Sequence, residues 1–148
     1  MPTSADREAL RAVARLARLL ERATGELSLA HYRVLSAVAA GDQRASRLAE
    51  RLALGRSAVS AAVDSLTGRG LLARSAVAGD LRGSALELTA AGRELLERAE
   101  AAAAAELAAV VARTAEPGPV LAALAALGPA LDGIAAERHT GKHPRRPA

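Results

Sequence analysis

The hydrophobic period of this chain changes twice, and that change restricts its fold more than any other feature. Up to Leu66, apolar residues recur every three to four positions: Leu10, Val13, Ala17 and Leu20, then Leu35 and Val38, then Leu48 and Leu52, then Val59, Ala62, Val63 and Leu66. This spacing predicts helices over 6–23, 29–40, 44–53 and 56–68. Gly25 and Gly41 are stop signals, and Ser28 is a candidate N-cap. From Leu71 to Leu88 the period falls to two. Leu71–Val77 and Ser84–Leu88 read as two strands, the second with Leu86 and Leu88 on one face and Ala85 and Glu87 on the other. A turn containing Gly79 and Gly83 joins them. The helical period then returns. Thr89 caps a long helix from Ala90 to about Arg113, Glu116–Pro119 breaks the chain, and a last helix covers 119–137 with Leu121, Leu124, Leu127, Leu131 and Ile134 along one stripe. The chain is therefore expected to be mainly α with a small β-hairpin. It shows no internal repeat and no linker long enough to separate two domains. Residues 1–138 read as one domain, and 139–148 as a disordered, Pro-rich basic tail.

Composition agrees and excludes several functions. The chain of 148 residues holds 40 Ala and 23 Leu but only 9 Val, with no Phe or Trp. Such a mixture favours helices and argues against a sandwich or barrel. It leaves no aromatic platform for stacking single-stranded nucleic acid. The absence of cysteine excludes disulfides, thiol catalysis, thiol redox sensing and cysteine zinc sites. The first 16 residues have no apolar core like that of a signal peptide. The longest uncharged stretch, Pro117–Leu131, has 15 residues, short of the roughly 20 needed to span a bilayer. A soluble, cytoplasmic protein with no membrane partner is expected.

Charge is uneven. Residues 44–82 carry seven arginines against three acids, whereas 83–138 carry four arginines against eight acids, and the last ten residues add three cations. A localised basic segment is the electrostatic footprint of a polyanion partner. Its setting sharpens that reading. Two short helices, 44–53 and 56–68, are joined by a tight turn at Leu54–Gly55, and the second exposes only small residues, Ser57, Ser60, Ala61 and Ser65. That is a helix-turn-helix pattern, and a hairpin placed directly after it is a wing.

The hairpin also carries recognisable residues. Asp80-Leu81-Arg82 followed by Leu86-Glu87-Leu88-Thr89-Ala90-Ala91-Gly92 resembles the wing signature of the MarR family of bacterial transcriptional regulators: Asp-x-Arg, a spacer, then Leu-x-Leu-Thr-x-x-Gly. Leu48-Ala49-Glu50-Arg51-Leu52, Ser57-Ala58-Val59-Ser60, Val63-Asp64-Ser65-Leu66 and Gly70-Leu71-Leu72-Ala73-Arg74 resemble that family's motif helices and the start of its wing. Leu29–Leu35 resembles the helix before them. The match is close over 28–98, and the flanking helices agree in place and length. The resemblance implies a winged helix-turn-helix lobe at 28–89, flanked by dimerisation helices at 6–24 and 90–137. It implies a homodimer that binds double-stranded DNA. The apolar stripe of the last helix, too extensive for one short domain to cover, agrees with a dimer.

Within that expectation the helix starting at Arg56 lies in the major groove, with Ser57, Ser60, Ala61 and Ser65 towards the bases. Serine pairs with any base and alanine can touch a thymine methyl. Many family members carry Arg or another long polar residue where Ala61 stands, so reading is expected to lean on backbone contacts and DNA shape. Arg82, at the glycine-flanked tip, is expected to enter the minor groove, with Asp80 orienting an arginine of the wing or motif. Arg44, Arg47, Arg56 and Arg74 are candidates for phosphates. The family often binds small aromatic or phenolic anions near the junction of its two lobes, which makes His31, Tyr32 and Arg33 candidate effector contacts. His31, His139 and His143 do not form a metal site, no cofactor is implied, and no catalytic motif is present. The expected function is a DNA-binding regulator, a repressor released by a small molecule. The competing reading is a winged-helix adaptor that binds another protein, for which the small, arginine-poor face of 57–65 offers an opening.

Overall fold

A reciprocal cap starts the first helix. Thr3 Oγ1 accepts from the Asp6 amide at 3.1 Å, and the Asp6 carboxylate accepts from the Thr3 amide at 2.8 Å. In this computed structural model the described residues are 1–41, 44–76 and 84–141. Helix α1 spans Ser4–Ala23. Helix α2, Leu29–Ala39, starts at Ser28, whose Oγ accepts from the His31 amide. The pair α3, Ala45–Leu52, and α4, Arg56–Gly68, comes next. Strands β1, Leu72–Ala76, and β2, Ser84–Leu88, pair antiparallel with Leu72 opposite Leu88 and Arg74 opposite Leu86. Helix α5 is Ala90–Val111, capped by Thr89, and α6 is Pro117–Gly141.

The fully buried core is aliphatic, with the half-buried Tyr32 packed against it. Leu27, Val34, Leu35, Leu48, Val59, Val63, Leu66, Leu72 and Leu86 are its fully buried large residues, and each such burial contributes about 1.5–3 kcal/mol. They come from α2, α3, α4, the hairpin and the segment before α2, while Leu95, Leu96 and Ala99 of α5 close one side. The outer helices stand apart from this core. No residue of α1 is buried, and it lies along α5.

The last helix departs most from expectation. It begins two residues earlier and runs four residues further than the periodicity suggests. Proline at the first helical position forfeits no hydrogen bond, and Pro129 is accommodated inside the helix. Residues 139–141, expected in the tail, are therefore helical, and 142–148 lie outside the described residues. The extent of the apolar segment is corrected as well. By length and composition alone, Pro117–Arg138 is long and apolar enough to cross a membrane, with a mean hydropathy of 1.6 and 6% of the window buried. The expected apolar stretch stops at Asp132, yet the apolar helix continues past that one acid.

The path of α6 is a tertiary result. It packs against α3 more than against α5. Ala135 is buried, and Arg138 lines a crevice with Ala49, Glu50, Ala53, Leu54 and Gly55 at the turn between α3 and α4.

Candidate nucleic-acid interface

Helix α4 presents two unlike faces. Val59, Ala62, Val63 and Leu66 are buried, and Ser57, Ser60, Ala61 and Ser65 are exposed together on the opposite side. The division follows from the 3.6-residue period. Gly55, the N-cap, has no side chain to satisfy the first-turn amides, and Arg56 beside it is exposed. Arg44 is the exposed N-cap of α3, and Arg47 is exposed on that helix. Arg44, Arg47 and Arg56 thus come from the two motif helices, with the four small residues on α4.

The motif turn is held from two sides. Ala53 ends α3 in the left-handed conformation, at φ 51°. Arg33 of α2 donates from Nη2 to the Leu52 carbonyl at 2.6 Å, satisfying one of the carbonyls left over at a helix end. The side chain expected to hold an effector is thereby engaged in fixing α3. Tyr32 is half-buried, hydrogen-bonded to Ser36 and Glu100. Burial pushes its phenol above the ordinary value, and the Glu100 carboxylate adds to the rise. Tyr32 and Arg33 share a hollow of about 180 Å³ with Ser36, Ala37, Ala40, Arg51 and Leu52. His31 is not among its lining residues. Burial lowers the His31 pKa, and the nearby Arg69 cation adds to this. Arg69 in turn lies 4.0 Å from the Glu26 carboxylate.

Arg74 also has a partner that the sequence reading missed. Its Nη2 lies 2.7 Å from Asp64 Oδ1, tying β1 to the exposed side of α4. Asp64 was legible only as the one acid on a helix whose other charge is Arg56, because its partner lies ten residues on and beyond a turn. Asp80 and Arg82 fall outside the described residues. A larger groove of about 680 Å³ runs along α1 and is lined by Ala14, Arg15, Arg18, Leu19, Arg22 and Ala23, with Glu106 of α5 opposite. Among the described residues no group of three His, Cys, Asp or Glu side chains could hold a metal ion.

Comparison with known proteins shows what this geometry is similar to. Residues 26–83 match the model of the MarR family. No curated protein matches the sequence. Among solved structures, the repressor CouR bound to a 23-mer DNA duplex is 27% identical, with a TM-score of 0.72 over 81% of this chain and 87% of CouR. The Mycobacterium tuberculosis MarR family protein Rv2887, in complex with salicylic acid, is 26% identical, with a TM-score of 0.68 over 86% of this chain and 98% of that one. Wild-type MarR of E. coli in its apo form shares the fold, at 20% identity and a TM-score of 0.70 over 84% and 94% of the two chains. The matched segment contains α2, α3, α4 and β1, so the middle of this chain resembles the MarR family, and the flanking helices share the fold of these structures.

Proposed function

We propose that this protein is a homodimeric transcriptional regulator that binds double-stranded DNA through α4 and the hairpin and acts as a repressor. The observation that carries this reading is the exposed Ser57, Ser60, Ala61 and Ser65 face of α4, in a fold that CouR presents to a DNA duplex. Arg44, Arg47 and Arg56 supply phosphate contacts around that face, and Arg82 reaches the minor groove. With short side chains on the reading face, positioning by the backbone and DNA shape outweighs direct base contacts.

A second copy of the chain is the occupant of the outer apolar surface. Leu10 and Val13 on α1, and Leu121, Leu127, Leu131 and Ile134 on α6, are at least 43% exposed. A patch of this kind needs a partner. The dimer brings two α4 helices to one face, suited to half-sites about 34 Å apart in a pseudo-palindrome. Bound across a promoter, it excludes polymerase. The effector is a small aromatic or phenolic anion that changes the spacing of the two lobes. Rv2887 holds salicylic acid, and here two separate places could take an anion: Arg15, Arg18 and Arg22 line the large groove, and Tyr32, the one aromatic ring of the chain, lines the smaller hollow with Arg33.

Fluorescence anisotropy tests this reading. The purified chain is titrated into a duplex from the region upstream of its own coding sequence and into a scrambled duplex, over a series of salt concentrations. Expected are preference for the native duplex, one dimer per site, steep weakening with salt and loss of affinity in Arg82→Ala. Absence of binding to any duplex at low salt would overturn it in favour of a protein-binding adaptor. Sedimentation in detergent-free buffer checks the dimer. A chain that stays monomeric there and instead partitions into lipid vesicles would overturn the assignment of the α6 stripe.

A further inference from the structure

The turn that leads into α4 depends on a side chain from another helix. Ala53, Leu54 and Gly55 join Leu52 to Arg56. The Ala53 amide donates to the carbonyls of Ala49 and Glu50, and the Leu54 amide to that of Ala49. The Leu52 carbonyl, at the end of α3, accepts instead from Arg33 Nη2 at 2.6 Å. A hydrogen bond from a charged donor is roughly twice as strong as a neutral one.

Arg33 stands on a fixed base, whereas the start of α4 is weakly held. Val34, Leu35, Ala37 and Val38 of α2 are buried in the core. Tyr32, beside Arg33, is hydrogen-bonded to Glu100 of α5. At the other end of the Arg33 contact, Leu54 is only partly buried. Gly55 caps α4 without a side chain, and Val59 is the first buried residue of that helix. The Arg33 bond therefore runs from a rigid helix to a turn with few anchors of its own.

The exposed face of α4 makes this anchoring matter. Ser57, Ser60, Ala61 and Ser65 are all short. A long side chain can swing to follow its partner when a helix shifts, but a serine hydroxyl or an alanine methyl cannot. Contact through such a face requires the helix itself to be placed to within about 0.5 Å.

We infer that Arg33 is a positioning residue for α4. Through the Leu52 carbonyl it fixes the turn from which α4 starts, and so sets affinity and site preference without touching the duplex. This rests on the DNA-binding reading above and adds to it a determinant outside the reading face.

The experiment uses the full chain, a duplex that it selects from a randomised pool, and a scrambled control. Arg33→Met keeps the apolar stem and deletes the donor. Its affinity for the selected duplex should fall at least about tenfold, the scale of one lost charge-assisted hydrogen bond. Affinity for the scrambled duplex, held by phosphates, should stay at the parent value, as should the salt slope and the sedimentation of the protein. Amide exchange should quicken at Ala53 and Leu54 and stay slow at Leu35 and Val63. Arg33→Lys keeps the charge on a shorter stem. It should bind the selected duplex more weakly than the parent, with the same salt slope, and it carries the test if Arg33→Met does not fold.

A slope reduced by about 0.9 per protomer in Arg33→Met, with both duplexes weakened alike, makes Arg33 a phosphate contact and overturns the proposal. Full recovery in Arg33→Lys overturns it too, because charge alone then suffices. A lower thermal midpoint with unchanged duplex affinity reduces Arg33 to a structural residue and also overturns it. If the parent binds no duplex, the DNA-binding reading itself fails, and the exchange rates at Ala53 and Leu54 still report whether Arg33 holds the turn.

Discussion

Gly92 passes so close to Leu71 that a Cβ at position 92 would overlap the Leu71 carbonyl oxygen. The same oxygen accepts from the Thr89 amide at 3.2 Å. Thr89 Oγ1 in turn donates to the Gly70 carbonyl at 2.7 Å and accepts from the Gly92 amide at 3.0 Å. One threonine thus joins the start of β1 to the start of α5, and one glycine lets them approach. The Leu-x-Leu-Thr-x-x-Gly pattern is a joint between the hairpin and the helix that leads out of the core.

The joint predicts two graded losses. Gly92→Ala forces backbone apart from backbone and should destabilise by at least about 1–3 kcal/mol, the usual cost of overpacking. Thr89→Ala removes a cap and a cross-link and should cost about 1–2 kcal/mol, with Thr89→Ser recovering most of it. Denaturant unfolding at fixed protein concentration measures both. A Gly92→Ala midpoint equal to that of the parent would refute the close approach.

Ala53 predicts a gain. It adopts a left-handed conformation at φ 51°, which costs an L-residue roughly 1–2 kcal/mol. Ala53→Gly removes that cost but adds freedom to the unfolded chain. The net expectation is stabilisation by about 0.5–1 kcal/mol, a rise of roughly 2–4 °C in thermal midpoint. A lower midpoint would contradict the turn geometry.

Asp64 is expected to oppose DNA. It lies on the exposed side of α4 and pairs with Arg74, and both side chains are largely exposed, at 70% and 44%. Such a pair contributes at most about 1 kcal/mol to stability. Asp64→Asn should leave the unfolding midpoint nearly unchanged. It should tighten duplex binding and steepen its salt slope by about 1, because Arg74 becomes available to a phosphate. Anisotropy with the parent and the variant at two salt concentrations decides it. Weaker binding would show that Asp64 orients Arg74 for contact.

His31 predicts a dependence on acid. Its folded pKa lies below the ordinary 6.5, through burial first and the Arg69 cation second. In the window between the folded pKa and the unfolded one, the unfolded chain binds more protons than the native chain. Stability therefore rises with pH through that window, and the contribution is complete above the unfolded value. It is lost progressively as pH falls below about 6.5. His31→Gln should flatten the stability profile between about pH 5 and 7, read by denaturant midpoints at each pH.

The local elements were legible because their signals are short-range. Caps act over three residues, as Ser28 with His31 and Thr89 with Gly92 show, and the change of period at Leu71 marks the hairpin. The buried and exposed faces of α4 come from the same helical period, so its exposed Ser57, Ser60, Ala61 and Ser65 face is already set by the order of its residues. Ligand and phosphate roles were less legible. The chemistry of Arg33 and Arg74 fits an anion, yet their guanidinium groups meet Leu52 and Asp64, nineteen and ten residues away.

By itself, then, the sequence determined a winged helix-turn-helix between two helical flanks, since periodicity and capping are properties of neighbouring residues. Only tertiary structure decided that Gly92 rides on the Leu71 carbonyl, that Arg33 closes α3, and that α6 returns to the motif turn with Ala135 buried against it. Those relationships depend on which surfaces meet once the core has closed. An apolar stripe such as that of α6 fixes that burial is favourable, but it is non-directional and does not fix against what.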